Sequence, residues 1–240
     1  MATLTPKQRE IQDREQLILD AAREIFRTSG YLGLNMNRIA ETLDYAKGTI
    51  YQHFRNKEEI ILALAAGTLQ KRTQMFEKAA QFPGRSRFRM AAIGCAAELF
   101  VKWYPDHFEL EKVLSCGSII EKTCTKLRDR KNTAELKCVS IVTGIVRDGI
   151  ASGNLKLSKG VSADRIVFAL WSMTYGGYSI MDSTETMDSM GIEDGFQEVR
   201  DSNNLLLDQF GWKPFSSKTD YDEVFEQVQQ EIFGDGPSQH

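Results

Sequence analysis

Hydrophobic residues recur at helical spacing along nearly the whole chain, and no stretch shows the period-two alternation that marks a β-strand. The first such series runs from Ile18 to Phe26, and Gly30 is suited to end its helix. The pattern predicts an all-α protein.

Two short helices and the start of a longer one are predicted next. Asn35 is suited to cap the first short helix, a turn at Asp44 and Tyr45 separates it from a second over about 46–53, and Asn56 is suited to cap the longer helix. Two helices joined by a turn of a few residues form a helix-turn-helix unit, whose second helix enters the major groove of DNA.

The remainder of the chain reads as longer helices. The predicted elements after the break at Phe82–Gly84 are helices over about 88–104, 107–114, 118–152, 162–181 and 194–210, a linker at 214–218 and an amphipathic final helix over 221–233. The segment from Asp164 to Met181 is apolar on almost every side, which is typical of a helix buried on several faces.

Charge is distributed unevenly along the chain. The 240 residues are 42% hydrophobic and carry a net charge of −3, an ordinary globular composition that allows one or two domains. Residues 1–57 have a net charge of +2 and residues 58–160 of +6, whereas residues 161–240 have a net charge of −11. A polyanion would therefore meet the N-terminal part of the chain.

Several classes of protein are disfavoured by the sequence. No apolar run approaches the roughly 20 residues of a membrane span, and the polar N-terminus does not resemble a secretory signal. The four cysteines, Cys95, Cys116, Cys124 and Cys138, form no CxxC pair. We therefore predict a cytoplasmic chain with free thiols.

Catalytic and metal-binding motifs are not found in the sequence. The three histidines, His53, His107 and His240, are widely separated, and there is no GxSxG, P-loop or HExxH motif. We predict that the protein is not an enzyme and has no metal site and no cofactor.

The candidate DNA-contacting residues lie on the predicted helix-turn-helix and just beyond it. Lys47, Thr49 and Tyr51 can donate hydrogen bonds to phosphates or bases, and Gln52 can pair with adenine. The full predicted set is Asn37, Lys47, Gly48, Thr49, Tyr51, Gln52, His53 and Lys57. The alternative is a polar helix that is merely solvated.

A family resemblance favours the DNA-binding interpretation. The segments that carry it are ILDAAREIF (18–26), Gly30, IA (39–40), KGTIYQHF (47–54) and NKEEI (56–60). In order and spacing they resemble the DNA-binding domain of the tetracycline-repressor (TetR) family. The resemblance implies that Thr49, Tyr51 and Lys57 hold phosphates and that Lys47, Gly48, Gln52 and His53 lie at or near the bases.

The same resemblance implies a domain organisation. We expect a three-helix DNA-binding domain over 14–74, with its recognition motif at about 37–56. A helical effector-binding and dimerisation domain is expected over 84–212, and a C-terminal extension over 213–240.

Two residues depart from the family pattern. Asp44 stands where the family usually has glycine, and Asp tolerates a left-handed backbone better than most residues. Ala46 stands where the family usually has Ser or Thr, which removes a helix cap worth on the order of 1 kcal/mol unless Asp44 caps the helix instead.

Two further sites are predicted in the C-terminal part. Aromatic residues there suggest an effector pocket, with core packing as the alternative; the candidates are Phe100, Trp103, Tyr104, Phe108, Trp171, Tyr175 and Tyr178. The predicted dimer-interface residues are Ile166, Leu170, Met173, Gly177, Val199, Leu206 and Phe210.

The sequence thus favours a transcriptional regulator, most simply a ligand-responsive repressor. We expect it to bind a palindromic operator on double-stranded DNA as a homodimer and to respond to a largely apolar small molecule. The alternative is a DNA-binding protein of the same fold with a structural or cell-division role and no small-molecule inducer.

Overall fold

A computed structural model describes residues 5–114, 117–183 and 187–236. Helices make up the regular structure of these residues, and no strand occurs among them, which confirms the predicted fold class. The α-helices are α1 (Pro6–Gly33), α2 (Met36–Thr42), α3 (Lys47–His53), α4 (Lys57–Ala79), α5 (Ser86–Trp103), α6 (Pro105–Leu114), α7 (Gly117–Glu121), α8 (Thr125–Ala151), α9 (Ala163–Ser183), α10 (Gly195–Gln209) and α11 (Tyr221–Val228). A π-helical turn, Gln229–Phe233, continues α11, so the predicted final helix is confirmed.

The chain divides into two compact units. The first unit comprises Met1–Leu69 and Asp106–Ala134, and the second comprises Gln70–Pro105 and Glu135–His240. This is not the division into 14–74, 84–212 and 213–240 that we expect on functional grounds, and those functional ranges stay predictions.

The core of the first unit is built from the apolar faces of α1 to α4, α6 and α7. Fully buried members come from distant parts of the sequence, among them Ile18, Ile39, Ile50 and Leu110. Burial of several such side chains, each contributing about 1.5–3 kcal/mol, allows helices as short as α2 and α3 to be stable.

The single helix predicted over 118–152 is wrong, because residues 122–124 break it into α7 and α8. Two carbonyl groups in this region are engaged in other contacts. The Ile120 carbonyl accepts a hydrogen bond from Thr123 Oγ1 at 2.8 Å, and the Lys122 carbonyl accepts one from Asn56 Nδ2 at 3.0 Å. The Cys124 carbonyl, just before α8, then accepts a helical hydrogen bond from Arg128 N.

Trp212 lies at the centre of the second unit and is fully buried. Its indole N–H donates to Ser86 Oγ at 3.1 Å, and its ring lies so close to Gly149 that a Cβ there would come within 3.0 Å of it. The predicted linker at 214–218 is held in place, because Tyr221 Oη donates to the Pro214 carbonyl at 2.7 Å.

No helix in residues 5–114, 117–183 or 187–236 combines the length and hydrophobicity needed to cross a bilayer. Across the same residues, His, Cys, Asp and Glu side chains form no group of three or more that could hold a metal ion. Cys95, Cys124 and Cys138 are free thiols, whereas Cys116 and His240 lie outside the described residues.

Candidate nucleic-acid interface

The helix-turn-helix unit forms as the sequence predicts. The side chain of Asn35 caps α2 by accepting a hydrogen bond from Arg38 N at 2.9 Å. Asp44 has a φ of 53°, so it takes up the left-handed conformation that the family resemblance assigns to the turn. Ala46 occupies the N-cap position of α3 without a side-chain cap. The uncapped backbone N–H groups at the start of α3 therefore remain available to a phosphate.

Two buried residues anchor α3 and decide which of its faces is outside. Ile50 is fully buried and Phe54, which follows the helix, is 2% exposed. Because residues three and four apart share a helix face, the positions on the opposite side of α3 are left in solvent. Lys47, Gly48, Tyr51 and Gln52 are exposed, and Thr49 and His53 are half-buried.

The exposed face of α3 is open to a partner. In the described part of the chain, Lys47, Tyr51 and Gln52 make no side-chain hydrogen bond or ion pair. A Cβ added at Gly48 would meet no atom within 4 Å, so a partner can approach the backbone there. Asn37, on α2, is also exposed. These side chains supply the donors and acceptors that read base edges and hold phosphates.

Lys57 begins α4 and is oriented by Tyr31. Its Nζ donates to the Tyr31 carbonyl at 3.1 Å and lies 3.9 Å from the centroid of the Tyr31 ring. An ammonium group has three donors, so one of them can satisfy this carbonyl while another reaches a phosphate. Tyr31 is a functional candidate that the sequence analysis missed.

Two buried carboxylates stand behind Lys57 in the first turn of α4. Glu58 accepts hydrogen bonds from Tyr31 Oη at 3.2 Å and Lys122 Nζ at 3.3 Å. Burial alone raises the pKa of Glu58, but hydrogen bonds from its own backbone N–H, Lys122 and Tyr31 outweigh burial and lower the pKa. Glu58 is therefore ionised at neutral pH.

Glu59 is held in a similar way by a residue of its own segment. Arg55 Nε donates to Glu59 Oε1 at 2.8 Å, and the Arg55 backbone N–H donates to Glu59 Oε2 at 2.9 Å. Burial raises the pKa of Glu59, and the Arg55 hydrogen bonds more than compensate for it. Asn56 caps α4 as predicted, because its Oδ1 accepts from Glu59 N at 2.9 Å. The start of α4 is therefore tightly fixed.

The predicted effector-pocket residues are divided between the two units. Phe108 belongs to the first unit, and the other candidates belong to the second. The ring of Phe100 packs on Tyr104 with centroids 5.8 Å apart, while Trp103 packs on Phe233. Tyr178 is buried against Phe196, Tyr175 is half-buried, and Trp171 is exposed. The pocket stays a prediction.

The predicted dimer-interface residues are mostly engaged within the chain. Ile166, Leu170 and Val199 are buried, and Gly177 faces Val199 so closely that a Cβ would come within 2.4 Å of its Cγ2. Leu206 and Phe210 pack against the hydrophobic core of the second unit, and Met173 is exposed. The large apolar side chains left in solvent on α9 and α10 are Met173, which belongs to the predicted set, and Phe168, Trp171, Ile180 and Leu205, which do not.

Comparison with known proteins agrees with this geometry. Residues 18–64 match the family model described as bacterial regulatory proteins, tetR family. The fatty acid metabolism regulator protein of Bacillus subtilis is 30% identical over 144 residues, which are 58% of this chain and 69% of that protein. The uncharacterized HTH-type transcriptional regulator YhgD of the same organism is 28% identical over 151 residues, 60% of this chain and 73% of its own.

Solved structures share the fold. The transcriptional regulator FadR from Bacillus subtilis, solved in complex with stearoyl-CoA, is 17% identical with a TM-score of 0.57 and covers 91% of this chain and 98% of its own. Three findings lead to the same conclusion. The helix-turn-helix presents hydrogen-bond donors on α3, the family model matches the segment around it, and the similarity to the fatty acid metabolism regulator extends well beyond it. The chain is a DNA-binding transcriptional regulator of the TetR family.

Proposed function

We propose that the protein is a repressor that binds a palindromic operator as a homodimer and releases it when an effector occupies the second unit. The proposed operator binding is supported mainly by the exposed face of α3. Lys47, Tyr51 and Gln52 lie in solvent there, without side-chain partners in the described part of the chain. Lys57, held by Tyr31, is the proposed phosphate contact at the start of α4. No catalytic role is assigned to any of these residues.

Operator binding is tested by selecting duplexes from a random-sequence library with the purified protein. We expect the enriched sequences to be palindromic, because a twofold-symmetric dimer presents two identical α3 helices. Lys57→Ala should weaken binding to selected and random duplexes alike, and because the dimer loses two phosphate contacts it should flatten the salt dependence by about 1.8 in the log–log slope. The proposal would be contradicted if the selection enriched no sequence or if Lys57→Ala left the salt slope unchanged.

The proposed dimer interface is the apolar surface left exposed on α9 and α10. Phe168 is 66% exposed and Leu205 is 65% exposed, a large apolar area for a monomer to leave in water. Pairing of these helices with their symmetry mates would bury them in a four-helix interface. Phe168→Glu should give monomers in light scattering, whereas Met190→Glu, at a position 71% exposed outside α9 and α10, should not. Wild-type protein that is monomeric at micromolar concentration would contradict this part.

For the effector, we propose an amphipathic anion with a long apolar chain, of the acyl-CoA class. The relative with 30% identity carries a name that refers to fatty acid metabolism, and its similarity covers 144 residues, far more than the DNA-binding segment. Several cationic groups of the second unit lie against aromatic rings. Lys71 Nζ is 3.7 Å from the Tyr104 centroid, and the Arg72 guanidinium is 5.9 Å from the Phe100 centroid. Aromatic walls with cations among them suit a ligand with an apolar tail and an anionic head.

The effector proposal is tested with stearoyl-CoA, stearate and free CoA in parallel. Stearoyl-CoA should lower operator affinity by about 5–150-fold, the range of a coupling free energy of about 1–3 kcal/mol. By linkage, operator DNA should weaken stearoyl-CoA binding by the same factor. If stearate alone lowers operator affinity as much as stearoyl-CoA does, the protein recognises the acyl chain and not the CoA group. Binding of stearoyl-CoA in calorimetry without any change in operator affinity would contradict the coupling.

A further inference from the structure

The turn at residues 122–124, between α7 and α8, lies against the start of α4. Asn56 Nδ2 donates to the Lys122 carbonyl at 3.0 Å, and Lys122 Nζ forms an ion pair with Glu58 Oε1 at 3.3 Å. The two segments are 64 to 66 residues apart in the sequence, so only the tertiary fold brings them together.

A chain of contacts leads from this turn to the proposed phosphate-binding lysine. The same oxygen of Glu58, Oε1, accepts from both Lys122 Nζ and Tyr31 Oη. Tyr31 in turn holds Lys57 with its carbonyl, at 3.1 Å from Nζ, and with its ring. Lys122 and Lys57 are therefore connected through two intermediate side chains.

Glu58 depends on its donors because its side chain is only 9% exposed. A buried carboxylate that loses a cationic partner is driven to rotate toward water. Such a rotation would remove the hydrogen-bond acceptor of Tyr31 Oη, and Tyr31 would then hold Lys57 less firmly. Lys122 itself is 61% exposed, so its replacement leaves the core intact.

We propose that Lys122 is a positioning residue for DNA binding, which fixes Glu58 and, through Tyr31, holds Lys57 where its ammonium group meets a phosphate. The inference rests on the proposed phosphate contact of Lys57. It assigns a role in operator affinity to a residue that lies far outside the helix-turn-helix and that no helix-turn-helix pattern includes.

The test compares Lys122→Met with Lys122→Arg and with a matched control, Lys126→Met. Lys126 lies on the first turn of α8, is exposed, and has no side-chain partner in the described part of the chain. Lys122→Met should weaken binding to duplexes selected by the wild type, and to random duplexes, by about threefold to tenfold. Lys122→Arg should restore wild-type affinity, and Lys126→Met should stay within about twofold of it.

A double-variant cycle separates positioning from direct contact. In a Lys57→Ala background, Lys122→Met should cause no further loss, because its effect passes through Lys57. An undiminished loss in that background would overturn the proposal, as would equal losses in Lys122→Met and Lys126→Met, which would indicate general electrostatics.

A measurement without DNA keeps this inference distinct from the proposed operator binding. Amide hydrogen exchange at residues 59–63 of the free protein should be faster in Lys122→Met and unchanged in Lys126→Met. Equal exchange in wild type and Lys122→Met would overturn the positioning role. A wild-type protein that enriches no duplex would overturn operator binding itself, and the exchange rates would still decide whether Lys122 fixes the start of α4.

Discussion

The helices of the helix-turn-helix and of its immediate neighbour α4 are capped by near neighbours in the sequence, whereas the second unit is joined by polar contacts between distant segments. Asn35 caps α2 through Arg38, and Asn56 caps α4 through Glu59, each three residues away. In the second unit, Trp212 donates to Ser86 across 126 residues of sequence.

Two arginine–glutamate pairs show the same difference. In the first unit, Arg55 and its buried partner Glu59 are four residues apart. In the second, Arg200 Nη1 reaches the fully buried Glu98 at 2.6 Å across 102 residues, and its guanidinium also lies 4.6 Å from the Phe225 ring. Local pairs form with the helix that carries them, while distant pairs exist only once the tertiary fold is complete. Loss of a distant pair should therefore cost more stability.

The largest expected effect is that of Trp212→Ala in the second unit. The side chain is fully buried, and its removal leaves both a cavity and an unpaired Ser86 hydroxyl, so we expect a loss of about 4 kcal/mol in the free energy of unfolding. Urea unfolding at fixed protein concentration measures the loss. Leu136→Ala, at a position 68% exposed, should change it by less than about 0.5 kcal/mol. If Trp212→Ala lowered the free energy of unfolding no more than Leu136→Ala does, the comparison between local and distant contacts would lose its basis.

Arg200→Met should have the next largest effect, a loss of about 3 kcal/mol. Within the described residues, the substitution leaves the buried Glu98 carboxylate with Lys102 as its one cationic partner. Arg55→Met is the matched variant, and its effect should be much smaller, because Arg55 is exposed and the Arg55 backbone N–H still donates to Glu59. Denaturant unfolding of both variants checks the difference. Losses of similar size would show that sequence separation does not govern the strength of these pairs.

Gln52→Ala should alter DNA recognition without altering the stability of either unit. Gln52 is exposed, so its removal disturbs no core contact, and loss of a bidentate contact to adenine should cost about 1–3 kcal/mol at a single base pair. Competition between selected duplexes that differ at one position measures this cost. A uniform loss across all duplexes would place Gln52 on the backbone of DNA rather than on a base.

Ala46→Ser should stabilise the first unit by about 1 kcal/mol, the smallest of these effects. Ala46 has cap-compatible angles, φ −61° and ψ 140°, and lacks only the side-chain oxygen that would accept from the N-terminal N–H groups of α3. Asn35→Ala, which removes the existing cap of α2, should lose stability by a similar amount. The midpoint temperatures of thermal unfolding of the two variants should shift in opposite directions from that of the wild type. Shifts of the same sign would contradict the capping argument.

The sequence predicted the helix-turn-helix and the start of α4 in detail. The caps at Asn35 and Asn56, the left-handed turn at Asp44 and the missing cap at Ala46 are all found as expected. These features depend on interactions over three or four residues, which the order of residue types specifies directly. A local cap of the same kind occurs in the second unit, where Ser162 Oγ accepts from Arg165 N at 3.2 Å.

The predicted dimer-interface residues on α9 differ in their exposure within the second unit. Met173 is exposed as a dimer-interface candidate should be, but Ile166 and Leu170 on the same helix are buried inside the chain, while Phe168 and Trp171 are not. Periodicity shows that α9 is apolar on most sides, and it does not show which of those sides the chain itself covers.

The order of residues by itself determined that the protein is helical, where most of its helices begin and end, and which short helix presents Lys47 and Gln52 to solvent. Only the tertiary structure decided that the helix predicted over 118–152 breaks at 122–124 and that Lys122 meets Glu58 there. The physical reason is the range of the interactions. Caps, turns and helical periodicity act within about one turn of helix, whereas the partners of a buried carboxylate can come from any part of the chain that the fold brings near.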